Sequence, residues 1–163
     1  RSEAARAAGA EEADSLLKEF DAARERADSY SRAPDFDAVV EEAGGAIVVA
    51  HPYRRVYRET APQDETSYAE MLERGLRNEV FDTVDAIEIR NGRGTVKENE
   101  FAENLAKKLN MPKTGASDAH KLADIGTYAT EFYDKITGLG DLIKAIKSGR
   151  YDAKELEYRP PEK

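Results

Sequence analysis

Residues 46–50 read Ala-Ile-Val-Val-Ala, a continuous apolar run with three β-branched members, bounded by Gly44-Gly45 before it and His51-Pro52 after it. Five residues are too few for a helix, and apolarity without alternation predicts a strand covered on both faces. That requirement restricts the fold more than any other feature, because a strand buried on both sides needs helices packed over its sheet. The rest of the chain supplies them. A short helix is expected over 36–42, ending where glycine can take a left-handed cap. Further helices are expected over 67–77, 97–109 and 139–147, and strands over 84–89, 113–116, 127–132 and 151–156. Short apolar strands alternating with amphipathic helices predict βα units and a mostly parallel α/β sheet.

Two segments depart from that rhythm. Residues 3–30 are rich in Ala, Glu and Arg, with Ala13, Leu16, Leu17, Phe20, Ala23, Ala27 and Tyr30 at three- and four-residue steps. This spacing predicts an added N-terminal amphipathic helix with a thin apolar stripe, suited to packing or self-association. The expected organisation is therefore a helix and linker over 1–33 and one α/β domain over 34–163. The other departure is the polar stretch of about fifteen residues after His51, long for a passive connection.

Charge and composition exclude several functions. The chain of 163 residues carries a formal net charge of −8 and no cysteine. An acidic surface disfavours a nonspecific nucleic-acid binder. Residues 1–42 hold 12 acidic and 6 basic side chains, against 21 and 19 in the remainder, so the α/β part is nearly neutral and could accept an anionic substrate locally. The lack of cysteine removes disulfides, thiolate nucleophiles and Cys-type zinc sites, and fits a reducing compartment. No apolar run approaches the ~20 residues that a bilayer crossing needs. The expectation is a cytoplasmic protein with no membrane partner.

Only two histidines are present, His51 and His120. Both fall at expected strand ends, where ligand chemistry in parallel sheets collects. A histidine at such a place can be fixed in one tautomer and serve as a metal ligand; equally, it can be an ordinary rim histidine. Asp118-Ala119-His120 adds a carboxylate and an imidazole, ligand types that suit Zn²⁺, Mn²⁺ or Fe²⁺. The alternative is an Asx-type turn at Ser117-Asp118 beside an exposed histidine. Arg54, Arg55 and Arg58 follow His51, and Arg90-Asn91-Gly92-Arg93-Gly94 follows the 84–89 strand, so a phosphate-facing basic rim is one reading. Solvated arginines balancing Glu59, Asp64 and Glu65 are the other. Glu88, between Ile87 and Ile89, could point toward the site or pair with Arg90.

The segments GGAIVVAHPYR, VDAIEIRNGR, AENLAKKLNMPKTGASDAHK, DIGTYATEF and LIKAIKSGRYDA, in this order, resemble the C-terminal half of a PHP (polymerase and histidinol phosphatase) domain, including the PHP-associated C-terminal region. The resemblance implies a partial or distorted TIM-like (β/α)7 barrel and hydrolysis of phosphate esters by a metal-activated water. It makes His51, Asp118 and His120 metal ligands for Zn, Mn or Fe and puts Arg54 near a substrate phosphate, with Arg90 of the basic rim as a second candidate for substrate binding. The implied partner is a phosphorylated small molecule or a nucleotide. The His-x-His strand, the Asp-His pair and the further acidic ligand with which such domains open do not occur in this sequence. An upstream segment, a partner chain or a second copy in a homo-oligomer would then complete the barrel and the metal centre. Otherwise the chain is a noncatalytic PHP-like binding or assembly module with an incomplete metal site.

Overall fold

The computed structural model describes residues 36–156, so the expected N-terminal helix and the border at residue 33 lie outside the described residues. The chain divides into two units, Arg1–Ala43 and Gly44–Lys163. Helix α1 (Phe36–Glu42) belongs to the first and coincides with its expected range.

In the second unit, strand β1 (Val48–Val49) pairs in parallel with strand β2 (Ala86–Asn91), Val48 opposite Ala86 and Val49 opposite Ile87. β1 is shorter than the apolar run that announces it, and both limits have a cause. At its start, the Asp85 carboxylate accepts from Ile47 N at 2.8 Å, where a neighbouring backbone carbonyl would continue the ladder. At its end, His51 turns to a φ of +32°. β2 is buried along nearly its whole length, as a central strand should be. On its other side it pairs in parallel with β3 (Lys113–Ala116), with an irregularity between Glu88 and Arg90.

Helices cover this sheet. The polar stretch after His51 contains an unexpected helix, α2 (Arg54–Glu59), followed by α3 (Glu65–Leu76). Asp64 caps α3: its carboxylate accepts from Ser67 N, and Ser67 Oγ accepts in return from Asp64 N. Helix α4 (Val96–Leu109) starts with a second capping box, Thr95 with Glu98, and ends at Asn110 in the left-handed conformation. Met71, Leu72, Phe81, Ile87, Ile89, Phe101, Leu105 and Ala106 form the core between α3, α4 and β2. Thr95→Ala removes the acceptor for Glu98 N and should destabilise the domain by about 1 kcal/mol, read as a lower urea midpoint with an unchanged m-value.

Strands β4 (Tyr128–Phe132) and β5 (Tyr151–Glu155) flank helix α5 (Leu139–Ser148) and pair antiparallel, Phe132 opposite Tyr151 and Tyr128 opposite Glu155. β4 lies beside β3, but the link runs through a side chain: Thr130 Oγ1 accepts from Gly115 N at 3.1 Å and donates to Gly115 O at 2.9 Å. No closed barrel forms among the described residues, so of the expected partial or distorted TIM-like barrel the structure carries the α/β class and the parallel sheet. Among the described residues the five strands make an open three-stranded parallel sheet and a two-stranded antiparallel pair. Closing a barrel needs each strand bonded on both sides. A β1 of two residues and a hydroxyl bridge between β3 and β4 do not provide that continuity. The α/β class and the order of the expected strands and helices match the sequence reading, with α2 as an addition.

Candidate functional site at the carboxyl ends of the parallel strands

β1, β2 and β3 run in one direction, so the segments that leave them emerge on one side of the sheet. Those segments begin with His51-Pro52-Tyr53-Arg54, Asn91-Gly92-Arg93 and Ser117-Asp118-Ala119-His120. Four non-glycine residues among those described have positive φ, and three of them sit here: His51 at +32°, Tyr53 at +60° and Asp118 at +50°. The fourth, Asn110, is a helix C-cap. Left-handed backbone is costly for side chains with a Cβ and persists only where the surroundings impose it.

The surroundings are a polar network around two buried groups. Glu88 is buried, and its Oε2 accepts from His51 N at 2.7 Å and from Asn91 Nδ2 at 2.9 Å. The Glu88 carboxylate thus holds the backbone of His51 in its turned conformation. Asn91, also buried, accepts on Oδ1 from Arg93 N at 2.9 Å and from Arg54 Nη1 at 3.4 Å. Its own backbone exchanges two bonds with the Asn99 amide, which ties the end of β2 to α4. Tyr53 anchors the other side of the turn: its ring packs against Phe81 and Phe101, and its hydroxyl accepts from Asn78 Nδ2 at 3.1 Å.

Arg54 reaches across to Asp118, Nη1 to Oδ2 at 2.7 Å. The guanidinium bonded to it, helped by Asn91 and by His51 nearby, outweighs partial burial and holds the Asp118 carboxyl below the ordinary carboxylate range. Arg58 pairs in the same way with buried Glu98. Burial pushes the Glu98 carboxyl up, but the Arg58 bond, the Thr95 backbone N–H and the charges of Arg58 and Arg54 together bring it below its usual value. Arg55 pairs with Glu59 one turn along α2. His51, Arg54, Arg55, Arg58 and Glu59 line an open cleft of about 360 Å³.

His120 is exposed, and its Nδ1 lies 2.9 Å from the carbonyl oxygen of Asp118. A carbonyl can only accept, so Nδ1 carries the proton, and in the neutral ring Nε2 holds the lone pair that a ligand would use. The Asp118 carboxylate is 3.8 Å away from the same Nδ1. His51, Asp118 and His120 therefore border one network. Arg90 does not join it: its guanidinium donates to Glu103 at 2.6 Å and to the Ile89 carbonyl at 3.2 Å.

Histidine and carboxylate side chains can ligate divalent ions, yet the arrangement by itself does not fit one. Among the described residues no three His, Asp or Glu side chains are grouped so as to hold a metal ion. Asp118 is engaged by a guanidinium, and Glu88 faces N–H donors. Sequence reasoning had no means of finding Asn91 and Asn99, whose roles come from burial at the junction of β2 and α4; an Asn-Gly pair is otherwise simply a turn signal.

In open parallel α/β sheets, ligand chemistry commonly collects outside the carboxyl ends of the strands, and here those ends carry a polar network of His, Asp, Arg and Glu. Residues 96–151 match a family model described as PHP-associated. The match is consistent with the C-terminal portion of a PHP domain, and it runs from the start of α4 to the first residue of β5. Asp118 and His120 lie inside it; His51, Arg54 and Arg90 precede it. No curated protein and no solved structure matches the chain. None of the described helices is long and apolar enough to cross a membrane.

Proposed function

We propose that the α/β unit is the C-terminal portion of a PHP-type, metal-dependent phosphoesterase. In this reading His51, Asp118 and His120 are its contribution to a centre for Zn, Mn or Fe, completed by ligands from outside the described residues. The observation that carries the reading is the concentration of positive-φ, side-chain-bearing backbone in the two motifs, at His51, Tyr53 and Asp118. Backbone held out of its easy conformations collects at functional sites. The chain's own part in hydrolysis is to bind and orient a phosphate ester. Arginines present planar N–H donors that match phosphoryl oxygens, and the cleft beside His51 is lined by three of them. An acidic chain with such a cleft suits a phosphorylated small molecule or nucleotide better than a nucleic-acid polymer.

The full chain, purified without chelator, should carry bound Mn, Zn or Fe, and His120→Ala should lower that content severalfold by removing one of few ligands. A second reading, a noncatalytic PHP-like binding or assembly module, is favoured by the Arg54–Asp118 pair, which satisfies the carboxylate without an ion. Metal-free protein whose unfolding temperature ignores saturating Mn²⁺ or Zn²⁺ would select this second reading, because an ion that prefers the folded state must stabilise it.

A further inference from the structure

Three arginines line the cleft beside His51, and they are not equivalent. Arg54 has 14% of its side chain exposed and is held from three directions, by Asp118 Oδ2 at 2.7 Å and by Asn91 Oδ1 and the Arg93 carbonyl, each at 3.4 Å. Arg58 makes two bonds to buried Glu98 and a third to the Arg93 carbonyl at 3.2 Å. Withdrawing either guanidinium leaves a poorly solvated carboxylate unpaired, which is costly. Arg55 is under no such obligation. Its side chain is 89% exposed, and its Nε donates at 2.8 Å to Glu59 Oε1 on the next helical turn, where the Glu59 side chain is 59% exposed. An exposed pair of this kind is weak and readily exchanged. The two Nη groups of Arg55 have no hydrogen-bond partner among the described residues.

We infer that Arg55 is the residue of this cleft that contacts a phosphate group, with Arg54 and Arg58 as fixed walls and Glu59 as an internal competitor for the Arg55 guanidinium. The inference rests on reading the cleft as the place of a phosphate ester. The free Nη edge presents parallel N–H bonds that two oxygens of one phosphoryl group can accept together. Arg54 and Arg58 add little net charge, because Asp118 and Glu98 balance them. The cleft therefore suits a single terminal phosphate on a small molecule. A run of phosphates needs several uncompensated cations. When phosphate draws Arg55 away from Glu59, the released carboxylate disfavours a second anionic group beside it.

The test is titration of the chelator-stripped full chain with inorganic phosphate at constant ionic strength, followed by ¹H–¹⁵N signals that include the arginine Nε–H groups. Saturable shifts should centre on residues 51–59 and on Arg55 Nε–H. Arg55→Gln should weaken binding roughly fivefold, the loss of one exposed charge-assisted contact. Glu59→Gln should strengthen it about twofold, as removal of a weak exposed partner allows. Arg77→Gln is the control: the Arg77 side chain is 80% exposed, pairs with Glu73 at the same i,i+4 spacing and does not line the cleft. It changes the net charge equally and should bind phosphate as the natural sequence does. Arg55→Gln that binds no more weakly than Arg77→Gln overturns the inference, and so do phosphate shifts that avoid residues 51–59. Neither a metal ion nor ester turnover enters the titration, so the Arg55 contact and the hydrolytic reading can fail separately.

Discussion

Phe101→Ala should destabilise the domain by about 3–5 kcal/mol, a large share of the ~5–15 kcal/mol that holds a typical domain folded. Phe101 is 1% exposed and sits among three tyrosine rings, Tyr53, Tyr57 and Tyr68, with centroids 5.8, 5.7 and 5.6 Å away. Truncation removes the ring's own burial and leaves a cavity bounded by aromatic faces that cannot collapse onto an alanine. Chemical denaturation should show the loss as a lower midpoint, while a cost below about 1 kcal/mol would mean that the core is not centred on this ring. The effect also reaches the candidate site, because Tyr53 is held in its left-handed conformation by packing on Phe101 and Phe81. With that support gone, the His51–Arg54 turn has less to oppose its strain.

The second large effect is expected at Gly92, and there the cause is contact with backbone. A Cβ built on Gly92 would lie 2.5 Å from Ser117 O and 3.1 Å from Ser117 C and Cα. Ser117 immediately precedes Asp118, and Gly92 N donates to Ala116 O at 3.0 Å, so the two loops are in register with almost no gap. Gly92→Ala must push the Asp118 loop away from the end of β2. The expected cost is about 3 kcal/mol, the upper part of the overpacking range, since no flexible side chain can give way. Gly140→Ala, where nothing lies within 4 Å, is the control and should be neutral or slightly stabilising in its helix. Unfolding midpoints of both variants check the cost. A ¹H–¹⁵N map should show the Gly92→Ala changes centred on 116–120. Equal stability of the two variants would contradict the close approach of the loops.

Much of the fold was legible because its signals are local. The 113–116 strand and the 36–42 helix were found at their full extents. α4 was found to within a residue at its start, since its amphipathic pattern is readable in the sequence alone. α2 escaped notice although Tyr53, Val56 and Tyr57 have helical spacing, because its first residues carry no side-chain cap and four of its six residues are charged. What makes it a helix is the tyrosines' packing on Phe101, a contact with a segment more than forty residues away. Barrel closure is not legible for a related reason: short apolar strands can be read in the sequence, but closure depends on which edges find partners.

The amino-acid order by itself determined that this chain makes short buried strands under amphipathic helices, and that its two histidines and Asp118 stand just past the ends of two of those strands. These facts follow from periodicity, turn residues and position along the chain, all properties of neighbours. Only the tertiary structure decided what each of those residues faces. Arg54 and Asp118 are 64 positions apart, and His51 and Glu88 are 37. No local pattern states that a guanidinium closes on that carboxylate or that a buried glutamate holds that histidine's backbone. Pairing of charges across a sheet's end is settled by distance and desolvation, and both exist only once the strands are side by side.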